Sequence, residues 1–582
     1  MRWCTLLFPM KLLDSRRLTG PNLLQEQPGA VLDVALDPTE AEVAVAAWRE
    51  RARALLDAVG WTAEETAVRL FPDGASLSFS ARVDCLYAAT EVNEEAWRAA
   101  EAAVRGEPAP DLADAADRLR AAIDRESNPA LLALQAAAEA RGVAFLSDDE
   151  VVSVGLGTGS LSWPVRELPA LDEIPWERVH DVPVVLVTGT NGKTTTVRLL
   201  AAMARAAGLA AGLTSTDRIE VDGELIERGD CSGPGSARTL LRDPRVELAI
   251  LETARGGMLR RGLAVRRAEA AAVTNIAADH LGEFGVNDLE ALAEVKILVA
   301  RAVGSEGKLV LNGDDPLLVA RAGRLTAPVA WFSLDPERPA FQELLGPDTT
   351  AWVLHNGEIE RWHGGWKQTL AHVDEIPIAF GGAARHNIAN ALTALALGAA
   401  IRLPDEPMLR ALRQVRGTAE DNPGRANLLE LGGTKILLDY AHNPHGLTAL
   451  LGLATNLPGR RRLLLVLGQA GDRSDEAIRD LARTAWSIRP DRIIVKELPE
   501  MLRGRSEGEV PAILEDELRR LGAPEESLGR ASNEIEAVRE ALAWARPGDQ
   551  LVLLVHTQRD AVFELLGRLR DSGWSAGQPV GR

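Results

Sequence analysis

The stretch VVLVTGTNGKTTTVRLLAAMA, residues 184–204, constrains this chain more than any other. An unbroken apolar run of strand type enters a turn built from Gly189 and Gly192. Lys193, Thr194 and Thr195 then open an apolar helix. Such a turn leaves the first N–H groups of the helix pointing at whatever fills it, with the positive end of the helix dipole behind them. A triphosphate fits that geometry. The backbone of Gly189, Thr190, Asn191 and Gly192 cradles the phosphates, Lys193 reaches the outer ones, and a threonine hydroxyl meets Mg²⁺. The spacing departs from G-x-x-x-x-G-K-[ST]: Val187 stands where the first glycine would be, and Gly189 supplies the turn.

The strand-then-helix pattern recurs. VELAILET, EAAAVTNI and GKLVLN continue it within residues 181–417, and TKILLDY, RRLLLVLG, DRIIVKE and DQLVLLV within 418–582. Apolar strands alternating with helices predict two successive α/β domains. Residues 1–155 read differently, as a small α+β domain. Helical periodicity covers 40–60 and 115–127, and SLSFSARVDCLYAAT (76–90) alternates like strands. The opening MRWCTLLFPMKLL is broken by Pro9 and Lys11 and lacks a small-residue cleavage site, so it reads as a first strand and not a targeting signal. Residues 156–180 are rich in Gly, Ser and Pro and read as a linker, the GLGTG at 155–159 being a flexible turn.

Composition removes several classes. Hydrophobic residues make up 46% and charged residues 26%, the balance of a globular chain. The three cysteines, Cys4, Cys85 and Cys231, are too few and too scattered for a disulfide framework or a cysteine zinc site. No run approaches the ~20 apolar residues of a membrane span, and the expected location is the cytoplasm. With 65 Lys+Arg against 84 Asp+Glu, the formal charge of −19 argues against nucleic acid as a partner. Lysine is scarce, with only seven in the chain.

Further candidates sit at strand ends. Glu252 ends VELAILE, where its carboxylate caps the next element or reaches a phosphate-bound magnesium ion; beside the loop, the metal role is favoured. Asp279 and His280 follow TNI, a weak signal alone. Lys296 lies in DLEALAEVKILVARA and, taken by itself, reads as part of a solvated helix face.

Together these features resemble the Mur ligase superfamily. The TGTNGKTTT loop, Glu252, the TNI…DH strand end and the downstream helical lysine follow that family's order. ARHNIANALTALA (384–396) is similar to its H-N-x-x-N helix start, GQAGDRSDE (468–476) to its Gly-Asp-Arg turn, and DYAHNPHG (439–446) to its D-Y-A-H-N-P segment. Within the superfamily, SGPGSARTLLRDPRVELAILETARGGMLRRGL, VTNIAADHLG, VLNGDDP, PGRANLLE and LRGRSEGEV resemble the Mur-like half of cyanophycin synthetases, and RRLTGPNLL resembles the opening of their N-terminal domain. Those enzymes carry an ATP-grasp domain between the two parts, and residues 156–180 leave no room for one.

The resemblance implies a Mur ligase-like central P-loop ATPase domain and a C-terminal Rossmann-like domain behind a small α+β domain. It implies an ATP-dependent, ADP-forming ligase that activates a carboxylate as an acyl phosphate and joins it to an amine. It assigns Lys193 to the transferred phosphoryl group, Thr194 and Glu252 to a first Mg²⁺, and His280 with a carbamylated Lys296 to a second. Asn387 and Asn390 would lie by the adenine, Arg425 by the phosphates, Asp439 by the ribose, and His442 and Asn443 in the interdomain cleft. The amine of the family's cyanophycin branch is arginine, added to aspartate side chains. Arg255, Arg503, Gly504, Arg505 and Glu509, with Glu497 and Glu500 as further carboxylates, are the substrate candidates. A homo-oligomer and pairing with a separate ATP-grasp protein are further expectations. A catalytically impaired scaffold and a simple ATPase or kinase are the alternatives.

Overall fold

The computed structural model describes residues 10–581. The opening residues read as a strand lie partly outside that range, as does Cys4; the first strand observed is Lys11–Leu18. It edges a four-stranded antiparallel sheet whose neighbours in order are Gly29–Ala35, Gly74–Ser80 and Thr66–Phe71. Helices Ala41–Ala58, Leu86–Arg105 and Leu112–Glu126 pack against it. The strand-like reading of 76–90 therefore holds only to Ser80. From Leu86 the chain is helical, because Glu126 satisfies the exposed N–H groups of Tyr87 and Ala88 at 3.0 and 2.7 Å. That cap lies 38 residues away, and no local pattern announces it.

The predicted linker also carries structure. Leu161–Pro164 pairs with Val151–Val154, which pairs with Phe145–Ser147, so a three-stranded sheet crosses the expected boundary at 155. The GLGTG turn is pinned, with Leu156 N–H on the His180 carbonyl and Thr158 N–H on that of Val246, both at 2.9 Å.

The central domain is built on an eleven-stranded mixed sheet. Strand Val184–Thr188 lies inside it, fifth in order, parallel to Leu248–Glu252 on one side and Ala268–Val273 on the other. All five of its residues are buried. Val185 and Val187 face the core under helices Lys193–Ala206, Arg385–Ala400 and Asp405–Gln414. Val184 and Leu186 face the opposite core, under Pro234–Leu241, Arg255–Arg261 and Leu289–Ile297. Burial on both faces explains why these strands read as continuous apolar runs. The C-terminal domain repeats the plan with six strands, five of them parallel, between helix layers on both faces. Among the described residues, no helix is long and apolar enough to cross a membrane.

Candidate functional site

A cleft of about 1450 Å³ runs between the domains, walled by the Gly189–Thr195 loop, strand ends of the central sheet and the turns after two C-terminal strands. Ligands in open α/β sheets bind beyond the carboxyl ends of the strands, and this cleft has that position.

The loop is shaped by its glycines. Gly192 has φ +90°, and a β-carbon there would stand 2.3 Å from Asn390 Oδ1. The helix that follows has no side-chain cap at its N-terminus. Asp288, Asp315, Asn443, Ser474 and Asn533 each cap another helix. Arg255–Arg261 and Arg385–Ala400 lack a side-chain cap too, but at Lys193–Ala206 the uncapped N–H groups stand behind a glycine turn and a lysine, an arrangement suited to an anion. Lys193 Nζ donates to the carbonyls of Gly189 and Thr190 at 3.1 and 3.0 Å, which folds its ammonium over the loop.

Glu252 is buried at 2% exposure. Its Oε2 accepts from the Thr194 hydroxyl at 2.8 Å and from Thr216 N–H at 3.3 Å, while Oε1 is buried with no hydrogen bond. A carboxylate with an orphaned oxygen beside two hydroxyls is a hard-oxygen donor set that suits Mg²⁺. Arg425 Nη2 approaches Thr194 and Thr216 at 3.4 and 3.3 Å, bringing C-terminal positive charge to the same point.

Lys296 is 4% exposed and lines the cleft, so the solvated-face reading is corrected. The short helix Leu289–Ile297 turns this residue inward while Glu290 and Glu294 face Arg321. Burial and the charge of Lys193 push its pKa well down, with only the charge of Asp279 opposing. His280 sits in left-handed backbone, φ +53°. Its ring nitrogens stand 3.1 and 2.8 Å from the guanidinium of Arg473, which also pairs with Asp279 at 3.3 Å. Burial opposes charge on Asp279, but the hydrogen bond from His442 and the charges of His442, His280 and Arg473 outweigh it and hold the carboxyl well below the usual range. His280, Glu283 and Asp472 also bring ligand atoms within 4.8 Å of one another, with Arg255 paired to Glu283 and Arg473 to Asp472.

Asn387, Asn390, Arg425, Asp439 and His442 all line the cleft. Asn387 Nδ2 donates to the Ile378 carbonyl at 2.9 Å. Both Asp439 oxygens accept backbone N–H groups, from Ala426 and Ala441, each at 2.7 Å. Asn443 caps helix Pro444–Asn456 and exchanges reciprocal amide bonds with Asn191 at 3.1 and 3.2 Å, tying the phosphate loop to the C-terminal domain.

The substrate candidates divide. Arg255, 8% exposed, lines the cleft and donates to the His280 carbonyl at 2.5 Å; Arg503 lines it too. Gly504, Arg505 and Glu509 do not. Arg505 binds the carbonyls of Gly471 and Arg473, Asp475 and Glu509, and so fastens the Gly-Asp-Arg turn to its neighbouring loop. Glu509 is spent on Arg505 and Ser506 N–H. Glu497 accepts from Leu498 and Gly508 N–H, and Glu500 from Thr557 and Gln558. A charged run such as RGRSEGE does not say which members are occupied locally. Sequence reasoning also missed Thr216, which joins the site only through sheet pairing, and Arg473, whose Gly-Asp-Arg motif was the available signal.

Residues 187–398 match the family described as Mur ligase middle domain, and residues 424–555 that described as Mur ligase, glutamate ligase domain. A cyanophycin synthetase from Synechocystis sp. is 42% identical over 60% of this chain and 39% of its own length. One from Trichormus variabilis is 37% identical over 67% of this chain and 43% of its own. The chain spans about two fifths of the length of these relatives. A UDP-N-acetylmuramoylalanine–D-glutamate ligase from Nitrosococcus oceani is 29% identical over 74% of this chain and 84% of its own. With its Gly189–Thr195 loop, buried Glu252 and C-terminal domain arranged around one cleft, the chain belongs, over its central and C-terminal domains, to the Mur ligase family.

Proposed function

We propose that this protein is an ATP-dependent, ADP-forming ligase that joins a carboxylate to an amino acid amine. The observation that carries the reading is the convergence of Lys193, Glu252 and the buried Lys296, which makes no ion pair among the described residues, with Arg425 and His442 in one cleft between domains. The γ-phosphoryl group of ATP passes to a carboxylate oxygen; the new P–O bond forms as the bond to the β-phosphate bridging oxygen breaks, and ADP is released. The amine nitrogen then attacks the acyl carbon, loses a proton, and the C–O bond to phosphate breaks. Little covalent work falls to the protein, whose part is positioning and charge compensation.

Lys193 and the helix N-terminus take the charge on the transferred group. Thr194 and Glu252 would hold Mg²⁺, which when bound supplies charge neutralisation at the phosphates. Asn387 and Asn390 serve the adenine, Asp439 the ribose and Arg425 the phosphates. Carbon dioxide adds only to a neutral amine, and the lowered pKa of Lys296 favours that form; its carbamate, with His280, would serve a second Mg²⁺. The likeness to cyanophycin synthetases supports arginine as the amine and an aspartate side chain as the acceptor, with Arg255 and Arg503 at the substrate end. A cytoplasmic homo-oligomer, fed by a separate ATP-grasp enzyme, completes the reading.

A phosphate-release screen of carboxylate and amino-acid pairs, with mass spectrometry of the product, tests it. Arginine with an aspartyl acceptor should give phosphate and an amide in equal amounts. Lys193→Ala should lower turnover by about 100-fold or more with an unchanged thermal melt. Phosphate release without an amide product would reject the ligase.

A further inference from the structure

The chemistry above leaves the N-terminal domain without a task, yet this domain forms one end of the cleft. Asp14, Ser15 and Arg16 of strand Lys11–Leu18 line it. The strand is bulged between its Leu12–Val34 and Asp14–Asp33 pairs. Leu13 is turned out at 55% exposure, and beyond it Asp14 and Arg16 share a face. Bulges of this kind re-aim side chains, and here the residue re-aimed is a buried arginine. Arg16 Nη1 is held by Asp33 at 2.6 Å and Asp14 at 3.0 Å, and Nε by the Leu259 carbonyl of the central domain at 3.1 Å. Nη2 has no partner among the described residues, and it is not among the atoms sealed from solvent.

A second arginine meets it. Arg16 and Arg260 approach the same ring, with guanidinium carbons 4.8 and 5.8 Å from the centre of Phe284. Phe284 occupies left-handed backbone at φ +54°, a conformation that a bulky residue keeps only when its surroundings enforce it. The enforcement comes from the N-terminal domain, where Arg69 donates to the carbonyls of Phe284 and of Gly285, the latter at 3.1 Å. Arg260 makes no ion pair among the described residues. Along this end of the cleft Arg16, Arg255, Arg260 and Arg261 stand against Asp14, Asp33 and Glu283, a surplus of one positive charge, and it falls where Arg260 is unpaired among the described residues. In a chain of formal charge −19, a local positive surplus suits an anion. Guanidinium groups match carboxylates in shape as well as charge.

We propose that Arg16 and Arg260, grouped round Phe284, bind a second anionic group of the acceptor, remote from its reacting carboxyl. The N-terminal domain thereby completes the site and selects polycarboxylate acceptors. The inference rests on the ligase reading for the word acceptor, but the binding itself does not. Arg16 is the specificity-determining residue supplied by the N-terminal domain, and Asp33 positions it.

The test uses the full chain and a short fluorescent oligo-aspartate, read by anisotropy without nucleotide. Arg260→Gln and Arg16→Gln should each weaken oligo-aspartate binding about tenfold or more, while affinity for a fluorescent ATP analogue stays within about twofold of wild type. Arg260 has no structural ion pair to lose, so its variant reports binding even if Arg16→Gln fails to fold. Wild type that does not bind the oligo-aspartate, or Arg260→Gln that binds it unchanged, overturns the proposal. Arginine-dependent binding with no amide product from any acceptor would uphold the anion site and reject the ligase.

Discussion

Lys296 of the central domain and Lys496 of the C-terminal domain are both withdrawn from solvent, and on opposite terms. Lys496 ends a fully buried stretch of strand Arg492–Lys496 and is bonded to Glu534 and, at 2.6 Å, to the Leu554 carbonyl. Glu534 in turn accepts N–H groups from His556, Thr557 and Gln558 at 2.5, 2.9 and 2.6 Å. Burial alone would favour its neutral form, but Lys496 and His556 outweigh this and draw its pKa down to about 2. The charge of Lys496 is matched by that of Glu534, and the cluster ties three segments together. Lys296 makes no ion pair among the described residues; Lys193 lies near enough to repel it, and Asp279 only partly offsets this from a distance. A buried ammonium without a counter-ion destabilises a fold. Its presence at the cleft points to chemistry, whereas a satisfied cluster is accounted for by structure.

The sharpest way to break this contrast is to remove each amine's environment in turn. Lys296→Ala should lose at least about 10³-fold in turnover with no fall in thermal stability, and short carboxylates should restore part of the activity. A fully active variant would return Lys296 to structure. Glu534→Gln should behave in the opposite sense, costing about 3–5 kcal/mol in denaturant unfolding, because Lys496 is left buried and unpaired. A loss below about 1 kcal/mol would be no more than that of a surface pair.

Burial pushes both amines below the usual lysine range; at Lys496 the charge of Glu534 opposes the shift, and at Lys296 the charge of Lys193 adds to it. The folded-state pKa of Lys296 lies well below 10.5, its unfolded value, so between the two the unfolded chain binds the extra proton. Stability contributed through this group therefore rises with pH across that window. Lys296→Met should melt higher than wild type at neutral pH, and the gap should narrow toward pH 10.5. A gap that stays constant with pH would place the proton elsewhere. The smallest effect is expected at Glu509, already bonded to Arg505 and Ser506. Glu509→Gln should change the KM for the amine by less than about twofold, within the range of an exposed ion pair, and Arg503→Gln should change it more. The reverse order would move amine recognition outside the cleft wall.

The positions of the Gly189–Thr195 turn and of Glu252 were legible because each sits at the end of a fully buried strand, where apolar runs mark position. Lys296 was legible only through the family resemblance, since a nine-residue helix shows too few turns for periodicity to identify its inward face. The strand Leu161–Pro164 escaped detection because it is four residues long and exposed on alternate positions. The place of Arg16 in the cleft depends on a bulge and on a carbonyl 243 residues away. Such partners leave no local trace.

The junction between the N-terminal and central domains carries a consequence for how sequences of this kind can drift. Thr19 N–H meets the Arg261 carbonyl at 2.8 Å, and Leu263 N–H meets that of Pro21 at 2.7 Å. These contacts are main chain to main chain and indifferent to most side chains. Lineages could rewrite many neighbouring side chains, short of Arg16, Arg69 and Arg261, whose guanidinium groups also reach main-chain carbonyls across the joint. What they could not alter is Gly20 or Gly262: a β-carbon at the first would stand 2.2 Å from the Leu263 carbonyl oxygen, and one at the second 2.5 Å from that of Gly20. Two hydrogen atoms in place of methyl groups are what this stretch of the joint demands of its sequence, and a methyl at either would force the N-terminal wall of the cleft away from the central one.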